Sequence, residues 1–407
     1  MLARMILCTA GTVAGLASAA LAQPSPDWTA CIATQQDPDA GIRACTAIIN
    51  SGRERGRNLA IAHNNRGDGF WEKNDFDSAL ADYNRAIRID KGYAIAYVNR
   101  GMVWRDKGHL DRAITDYTDA IRLNPRSAFA YNNRGLAWRF KGDLNRAIAD
   151  YGEAIRLDPT YALAYQNRGN AWRDIGNLDR AIADYGSAIR LNPTHAALYG
   201  DRGYAQFYKG DFDRAVADYT EAIRLDPRYA PAYHHRGNAW RAKGDFDNAI
   251  DDYTAALRID PDNSTIYGDR GYAHFYKGSF AGAVADFGRS IDLGENPYRM
   301  LFRFLAQAGL GENGAAELAA NAARLKSKDW PYPVIELLLG KQTAERTLAA
   351  ASKPSEKCEA NFYVGEWHLI RRDREQAYKM LQTAVDSCSK TFYEHDAAVT
   401  ELQRINR

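Results

Sequence analysis

The chain has almost no surplus charge: 53 lysines and arginines stand against 51 aspartates and glutamates, a net of +2. That excludes a general binder of nucleic acid or anionic membrane, which needs an excess of positive charge. Cysteine is scarce, five in 407 residues, too few for a disulfide-dense miniature scaffold. Beyond Ala22 no apolar run is long enough to span a bilayer. HExxH, GxSxG and CxxC sequences are absent, and no Ser/His/Asp or Cys/His set can be nominated. The expectation is therefore a non-enzymatic chain with no cofactor, no metal and no nucleic-acid partner. With 46% hydrophobic and 26% charged residues, it is a chain that folds.

The stretch from Met1 to Ala22 reads as an export signal. Arg4 is the positive start, residues 5–17 are apolar or small, and Ala20-Leu21-Ala22 offers a cleavage site after Ala22. The stretch is too short and too rich in glycine and alanine for a stable membrane anchor. Cys8 lies too near the start for a lipoprotein signal. The mature chain is expected to be periplasmic or secreted.

What the sequence has in quantity is a repeat. YVNRG at 97–101 returns as YNNRG at 131–135, YQNRG at 165–169, YGDRG at 199–203, YHHRG at 233–237 and YGDRG at 267–271, with HNNRG at 63–67 as a looser first copy. The interval from Tyr97 to Tyr131 holds throughout, which sets seven units over 60–297. Each unit reads as two amphipathic helices. In the unit 128–161, Tyr131, Gly135 and Trp138 share one face, and Ala147, Tyr151 and Ala154 share another. Gly142-Asp143 separates the helices and Asp158-Pro159 ends the pair. Gly135 and Ala147 let two backbones approach, with Tyr151 filling the space beside them. One pair cannot cover its own apolar face, so pairs must stack.

These positions resemble the tetratricopeptide repeat. Gly101, Ala113, Tyr117, Ala120 and Pro125 occupy that family's positions 8, 20, 24, 27 and 32 in one unit. Lys91 and Glu295 replace the expected proline in the first and last units. The resemblance implies an all-α, right-handed superhelical solenoid, with a concave groove lined by the first helix of each pair and atypical helical caps at both ends.

The flanks depart from the pattern. Residues 23–59 read as an N-terminal capping pair, 298–354 as an irregular helical region, and 355–407 as one further repeat-like hairpin followed by a final capping helix at about 394–405. Residues 361–402, with VIELLLGK at 334–341 before them, resemble the carboxy-terminal region of the NlpI family of bacterial envelope proteins. That resemblance covers 50 of the 407 residues beyond the repeats. It implies a scaffold of the cell envelope, an adaptor joining a periplasmic protease to peptidoglycan hydrolases. Its alternative is a generic peptide-binding module of a secretion or envelope assembly system. The expected partners are proteins or peptides, with self-association compatible with the same surfaces.

Several motifs invite chemistry and receive a structural reading instead. GLGENG at 309–314 has the glycine spacing of a dinucleotide loop, but a helix precedes it, so it reads as a turn. His234 and His235 are neighbours on a helix and point about 100° apart, which does not gather them on one ion. Arginine at position 7 and aspartate at position 23 recur seven times each, from Arg66 with Asp82 to Arg270 with Asp286. Equal numbers at fixed spacing favour structural ion pairs over an anion-binding ladder. Arginine at position 29 closes six second helices, where a cation meets the negative end of the helix dipole.

In the tetratricopeptide family, positions 2, 5, 9, 12 and 13 face the concave side. Here positions 9, 12 and 13 supply the candidate partner-binding groove: Trp71, Arg105, Arg139, Asn170, Arg173, Tyr204, Phe207, Tyr208, Asn238, Arg241, Tyr272, Phe275 and Tyr276. Arginine and aromatics are the residue types that carry binding energy, and amides can pair with an extended backbone. Position 5 carries no lysine, so the carboxylate clamp of chaperone-binding members is not reproduced. Units five and seven share YGDRGYA and FYKG.

Removal of the signal takes Cys8 away and leaves Cys31, Cys45, Cys358 and Cys388, with three possible pairings. Counted from Gly365 at position 8, Cys358 and Cys388 fall at the start of one helix and the end of its antiparallel partner. Cys31 and Cys45 likewise sit on the two helices of the first pair. The expected bridges are Cys31–Cys45 and Cys358–Cys388.

Overall fold

The computed structural model describes residues 26–389 and 392–406; the expected signal peptide lies outside them. Among the described residues there are 23 α-helices and no strand. No helix among them is long and apolar enough to cross a membrane. The chain divides into two compact units, residues 1–159 and 160–407.

In the first unit, α1 (Pro26–Ile32) and α2 (Pro38–Asn50) are followed by three repeat pairs. These are α3 (Gly56–Glu72) with α4 (Phe76–Ile89), α5 (Ala94–Asp106) with α6 (Leu110–Leu123), and α7 (Ala128–Phe140) with α8 (Leu144–Leu157). The first repeat helix starts at Gly56, one turn before the repeat register places it. In the second unit, repeats four to seven are α9 (Ala162–Asp174) with α10 (Leu178–Leu191), α11 (Ala196–Tyr208) with α12 (Phe212–Leu225), α13 (Ala230–Ala242) with α14 (Phe246–Ile259), and α15 (Ser264–Lys277) with α16 (Phe280–Leu293). Then come α17 (Pro297–Gly309), α18 (Ala315–Ala322), α19 (Tyr332–Leu338), α20 (Ala344–Ala350), α21 (Pro354–Ile370), α22 (Arg374–Ser387) and α23 (Tyr393–Ile405). The GLGENG segment is the turn between α17 and α18.

Two devices repeat in every pair. The glycine at position 8 faces the ring at position 24: a Cβ on Gly101 would stand 2.8 Å from Tyr117 Cε1, and one on Gly135 would stand 2.9 Å from Tyr151 Cε1. Those tyrosines are fully buried. Any side chain at position 8 pushes the two helices apart, so the glycine is steric in purpose. Beside it, the arginine at position 7 forks onto the aspartate at position 23 of the same pair. Arg134 Nε and Nη2 meet Asp150 at 2.8 Å each, and all seven copies do the same. A planar guanidinium matches a carboxylate in two parallel bonds, which fixes the angle between the helices. The remaining Nη1 reaches back to the preceding pair where a partner exists there, as from Arg134 to Thr118 and from Arg236 to Thr220. The arginines are consumed in holding the frame, and the aspartates they hold are buried.

The turn within each pair needs one residue in left-handed backbone. Glycine supplies it from Gly108 to Gly278, while Asn74 and Arg372 supply it with φ of 61° and 62° at the equivalent positions. The cysteines close Cys31–Cys45 between α1 and α2, and Cys358–Cys388 across α21 and α22, with Cα separations of 4.8 and 5.0 Å.

Candidate functional site

The candidate positions lie along one face of the first helices, where a side chain of one pair reaches the next. Much of that face is spent on itself. Trp71 is 5% exposed and donates its indole N–H to Asp106 at 3.0 Å. Arg105 is held between Asp106 and Asn133 Oδ1, and Arg139 is half-buried. Asn170 and Asn238 accept the hydroxyls of Tyr185 and Tyr253, the rings at position 24 of their own pairs, at 2.8 and 2.7 Å. Gln166 reaches Asp201 at 2.8 Å and His234 reaches Asp269 at 2.7 Å. His234 is thus a rung of this polar ladder. His235 stacks between it and Tyr219, and burial, then His234 beside it, pulls its pKa down to about 4.

Four of the candidates are not open to a partner. Arg241, Tyr272, Phe275 and Tyr276 are covered by α23, the helix expected only to cap the end of the chain. Tyr393 stacks on Tyr272 with 4.1 Å between ring centroids and an angle of 17°, and donates its hydroxyl to Asp269 at 2.9 Å. Tyr276 donates its own hydroxyl to the Tyr393 carbonyl. Arg241 lies over the Tyr393 ring at 4.6 Å and meets Asp396 at 2.8 Å. Arg404, near the end of α23, donates to the carbonyls of Phe275 and Tyr276. Tyr272, Phe275 and Tyr276 are in consequence 5%, 1% and 3% exposed. Trp71 and these four are corrected from groove residues to interior ones. In each case a neighbouring side chain or helix already supplies the contact a partner would have made.

What stays open in the second unit is Arg173, Tyr204, Phe207 and Tyr208. Arg173 lies over the Tyr204 ring at 5.5 Å, with Asp174 at 3.4 Å and Asp201 at 3.9 Å. Tyr204 packs on Tyr208 at 4.6 Å, and Phe207 meets Tyr208 edge-on. Burial, then the neighbouring Tyr208 hydroxyl, pushes the Tyr204 phenol up to about 12, so it stays neutral and able to donate. Tyr208 is 61% exposed. Positive charge, aromatic faces and phenol hydroxyls on a rigid pair of helices suit a peptide carrying both a carboxylate and a ring.

The residues that sequence reasoning missed are Tyr393, Asp396 and Arg404. They fall at i, i+3 and i+11 of α23, one stripe of a helix. The stripe is visible in the sequence, but nothing local says what it packs against.

Residues 64–128 and 201–264 match the tetratricopeptide repeat family model, residues 139–172 a TPR repeat model, and residues 162–195 a further tetratricopeptide repeat model. These stretches of the chain are tetratricopeptide repeats. Among solved structures, the crystal structure of MamA protein is 29% identical, with 41% of this chain and 92% of that one covered and a TM-score of 0.39. YrrB, described as a TPR protein with an unusual peptide-binding site, is 22% identical over 45% of this chain and 95% of its own, with a TM-score of 0.40. A tetratricopeptide repeat protein from Parabacteroides merdae is 19% identical over 61% and 98%, with a TM-score of 0.46.

Proposed function

We propose that this protein is a scaffold that binds other proteins through the inner face of its repeats, and that it works outside the cytoplasm as an adaptor between a protease and cell-wall hydrolases. The observation that carries the binding role is the cluster of Arg173, Tyr204, Phe207 and Tyr208, in which a guanidinium and three rings stand together with Tyr208 61% exposed. A folded chain rarely leaves such residues in one open patch without a use for it. The adaptor role rests on the carboxy-terminal sequence resemblance. The two cysteine pairs support an oxidising compartment.

Affinity capture from an envelope extract tests this, with the wild-type chain beside Arg139→Glu/Arg173→Glu. Recovery of a protease and cell-wall hydrolases by the wild type, and their loss with the double variant, is the expected result. Capture of secretion or assembly components instead would leave only a generic peptide-binding module. Capture that the variant does not weaken would place the binding surface elsewhere, first in the carboxy-terminal region. Deletion of the chain in its host should also change the level or processing of a cell-wall hydrolase.

A further inference from the structure

The face of repeats six and seven already shows what this kind of surface holds. It holds a helix, α23, gripped at three points: Tyr393 on Tyr272 and Asp269, Asp396 on Arg241, and Arg404 on the last carbonyls of α15. Every side chain in that grip has an identical copy two repeats earlier, in repeats four and five. Arg173 repeats Arg241, Asp201 repeats Asp269, Tyr204 repeats Tyr272, Phe207 repeats Phe275, and Tyr208 repeats Tyr276. The ring that the Arg404 guanidinium covers, Phe280 at 5.2 Å, returns as Phe212. The amide beneath each site is copied too, Asn238 by Asn170, each fixed by a tyrosine hydroxyl.

The two copies differ at two neighbouring positions, Asp174 against Ala242 and Gln166 against His234, and in what lies on them. Tyr276 is 3% exposed under α23, whereas Tyr208 is 61% exposed. The Arg241 side chain is 11% exposed and pinned to Asp396, whereas that of Arg173 is 26% exposed and rests on neighbours at 3.4 and 3.9 Å. The frame below them is the same, since the arginine–aspartate forks and the contacts of glycine with an aromatic ring run through all four pairs.

We propose that repeats four and five bind a helix of a partner protein that carries a tyrosine, a carboxylate three residues on and an arginine eleven residues on, in the manner of residues 393–404. The idea rests on the scaffold function proposed above and names the chemistry of the ligand. The carboxylate of such a helix would meet Arg173 as Asp396 meets Arg241, displacing Asp174, which lies 3.4 Å from Arg173 where repeat six has Ala242. The rings fit as well, because the incoming tyrosine would stack on Tyr204 and find Asp201 beneath it. Helix-in-groove recognition uses such spaced anchors along one stripe. A partner's helix is favoured over the α23 of a second copy, because α23 is tethered to its own site and that site outcompetes any intermolecular one at ordinary concentrations.

The test uses the full chain and a fluorescent peptide with the sequence of residues 392–406. Saturable binding is expected, weakened by roughly tenfold or more in Arg173→Glu, because a close ion pair becomes a like-charge contact. Tyr208→Ala should weaken it as well, and its exposed side chain leaves the fold intact by circular dichroism. A peptide in which lysine replaces the residue matching Asp396 should bind the wild type poorly and Arg173→Glu better. No binding, or binding equal in wild type, Arg173→Glu and Tyr208→Ala, overturns the proposal. Concentration-dependent dimers of the full chain that Arg173→Glu abolishes would make the occupant a second copy and overturn the partner assignment. If partner capture depends on Arg173 while the peptide fails, the helix ligand falls and the scaffold function stands.

Discussion

Repeats four and five carry the arginine, aspartate and aromatic rings with which repeats six and seven hold α23, with Gln166 for His234 and Asp174 for Ala242 beside them, yet one set is open and the other is buried under α23. The difference in exposure does not come from the shared arginine and rings. It comes from a helix whose Tyr393 lies 117 residues beyond Tyr276 and whose Asp396 lies 155 beyond Arg241 in the chain. A repeat protein therefore has two layers of information. One is the frame, written again in every helix pair. The other is the occupancy of each copy, which is decided from outside the repeat.

Removing one ring from each copy breaks this comparison most sharply. Tyr276→Ala empties a fully enclosed space between α15 and α23, and an aromatic-to-alanine change there costs about 3–5 kcal/mol. Tyr208→Ala removes the same side chain from an exposed position and should stay within about 0.5 kcal/mol of wild type. Urea unfolding of both variants checks the asymmetry. Equal costs would mean that α23 does not cover the second copy in solution.

The frame was legible in the sequence because its signals are local. Gly135 with Tyr151, and Arg134 with Asp150, lie 16 residues apart and recur, so period and pairing could be read together. The pairing of Cys358 with Cys388 followed from the same register. Occupancy was not legible. Tyr393, Asp396 and Arg404 are ordinary helix residues whose partners are remote, and position 12 holds arginine or an aromatic in every copy whether covered or not. Trp71 misled for a related reason: its acceptor, Asp106, belongs to the next pair.

Breaking the ring that precedes α23 tests how the covered copy is kept. The Cys358–Cys388 bridge spans 30 residues and ends five residues before Tyr393. Replacing both cysteines by alanine should cost about 3 kcal/mol on the loop-entropy account. It should also raise hydrogen exchange in α23 while leaving peptide binding at repeats four and five unchanged. Non-reducing peptide mapping of exported protein should link Cys31 to Cys45 and Cys358 to Cys388. A peptide joining Cys31 to either distant cysteine, or four alkylatable thiols, would contradict this assignment.

The helix that covers repeats six and seven has a back face of buried carboxyls, and the open copy has no counterpart. Glu394 accepts the Tyr363 hydroxyl at 2.9 Å, and burial, then the charge of Glu359, pushes it up to about 7. Glu366 on α21 is raised well above the carboxylate range by burial and by Glu401, which also faces Arg404. Between its ordinary value of 4.5 and about 7, Glu394 holds a proton in the folded chain that it has lost in the unfolded one. Its contribution to stability therefore falls as pH rises through that window. Glu394→Gln should match wild type near the lower bound and exceed it by roughly 3 kcal/mol at most above the upper bound, with Gln in place of the neutral acid. Urea midpoints of both chains across that pH range check it; parallel curves would show that Glu394 is not the group that titrates.

The smallest effect concerns the turn that repeats four to seven share and the carboxy-terminal pair does not. Gly176, Gly210, Gly244 and Gly278 take the left-handed conformation there without a side chain, and Arg372 takes it with φ of 62°. An L-residue in that region pays about 1–2 kcal/mol for the approach of its Cβ to the carbonyl. Glycine escapes that cost but loses about 0.5–1 kcal/mol through its freer unfolded chain. Arg372→Gly should therefore stabilise the carboxy-terminal pair by about 1 kcal/mol or less. Asn74→Gly, at the same position of the first repeat, should gain less, because asparagine tolerates this backbone better than arginine. Hydrogen exchange of the α21–α22 and α3–α4 amides in the two variants measures both. A loss of protection in Arg372→Gly would mean that the arginine side chain, not the backbone, decides the energy of that turn.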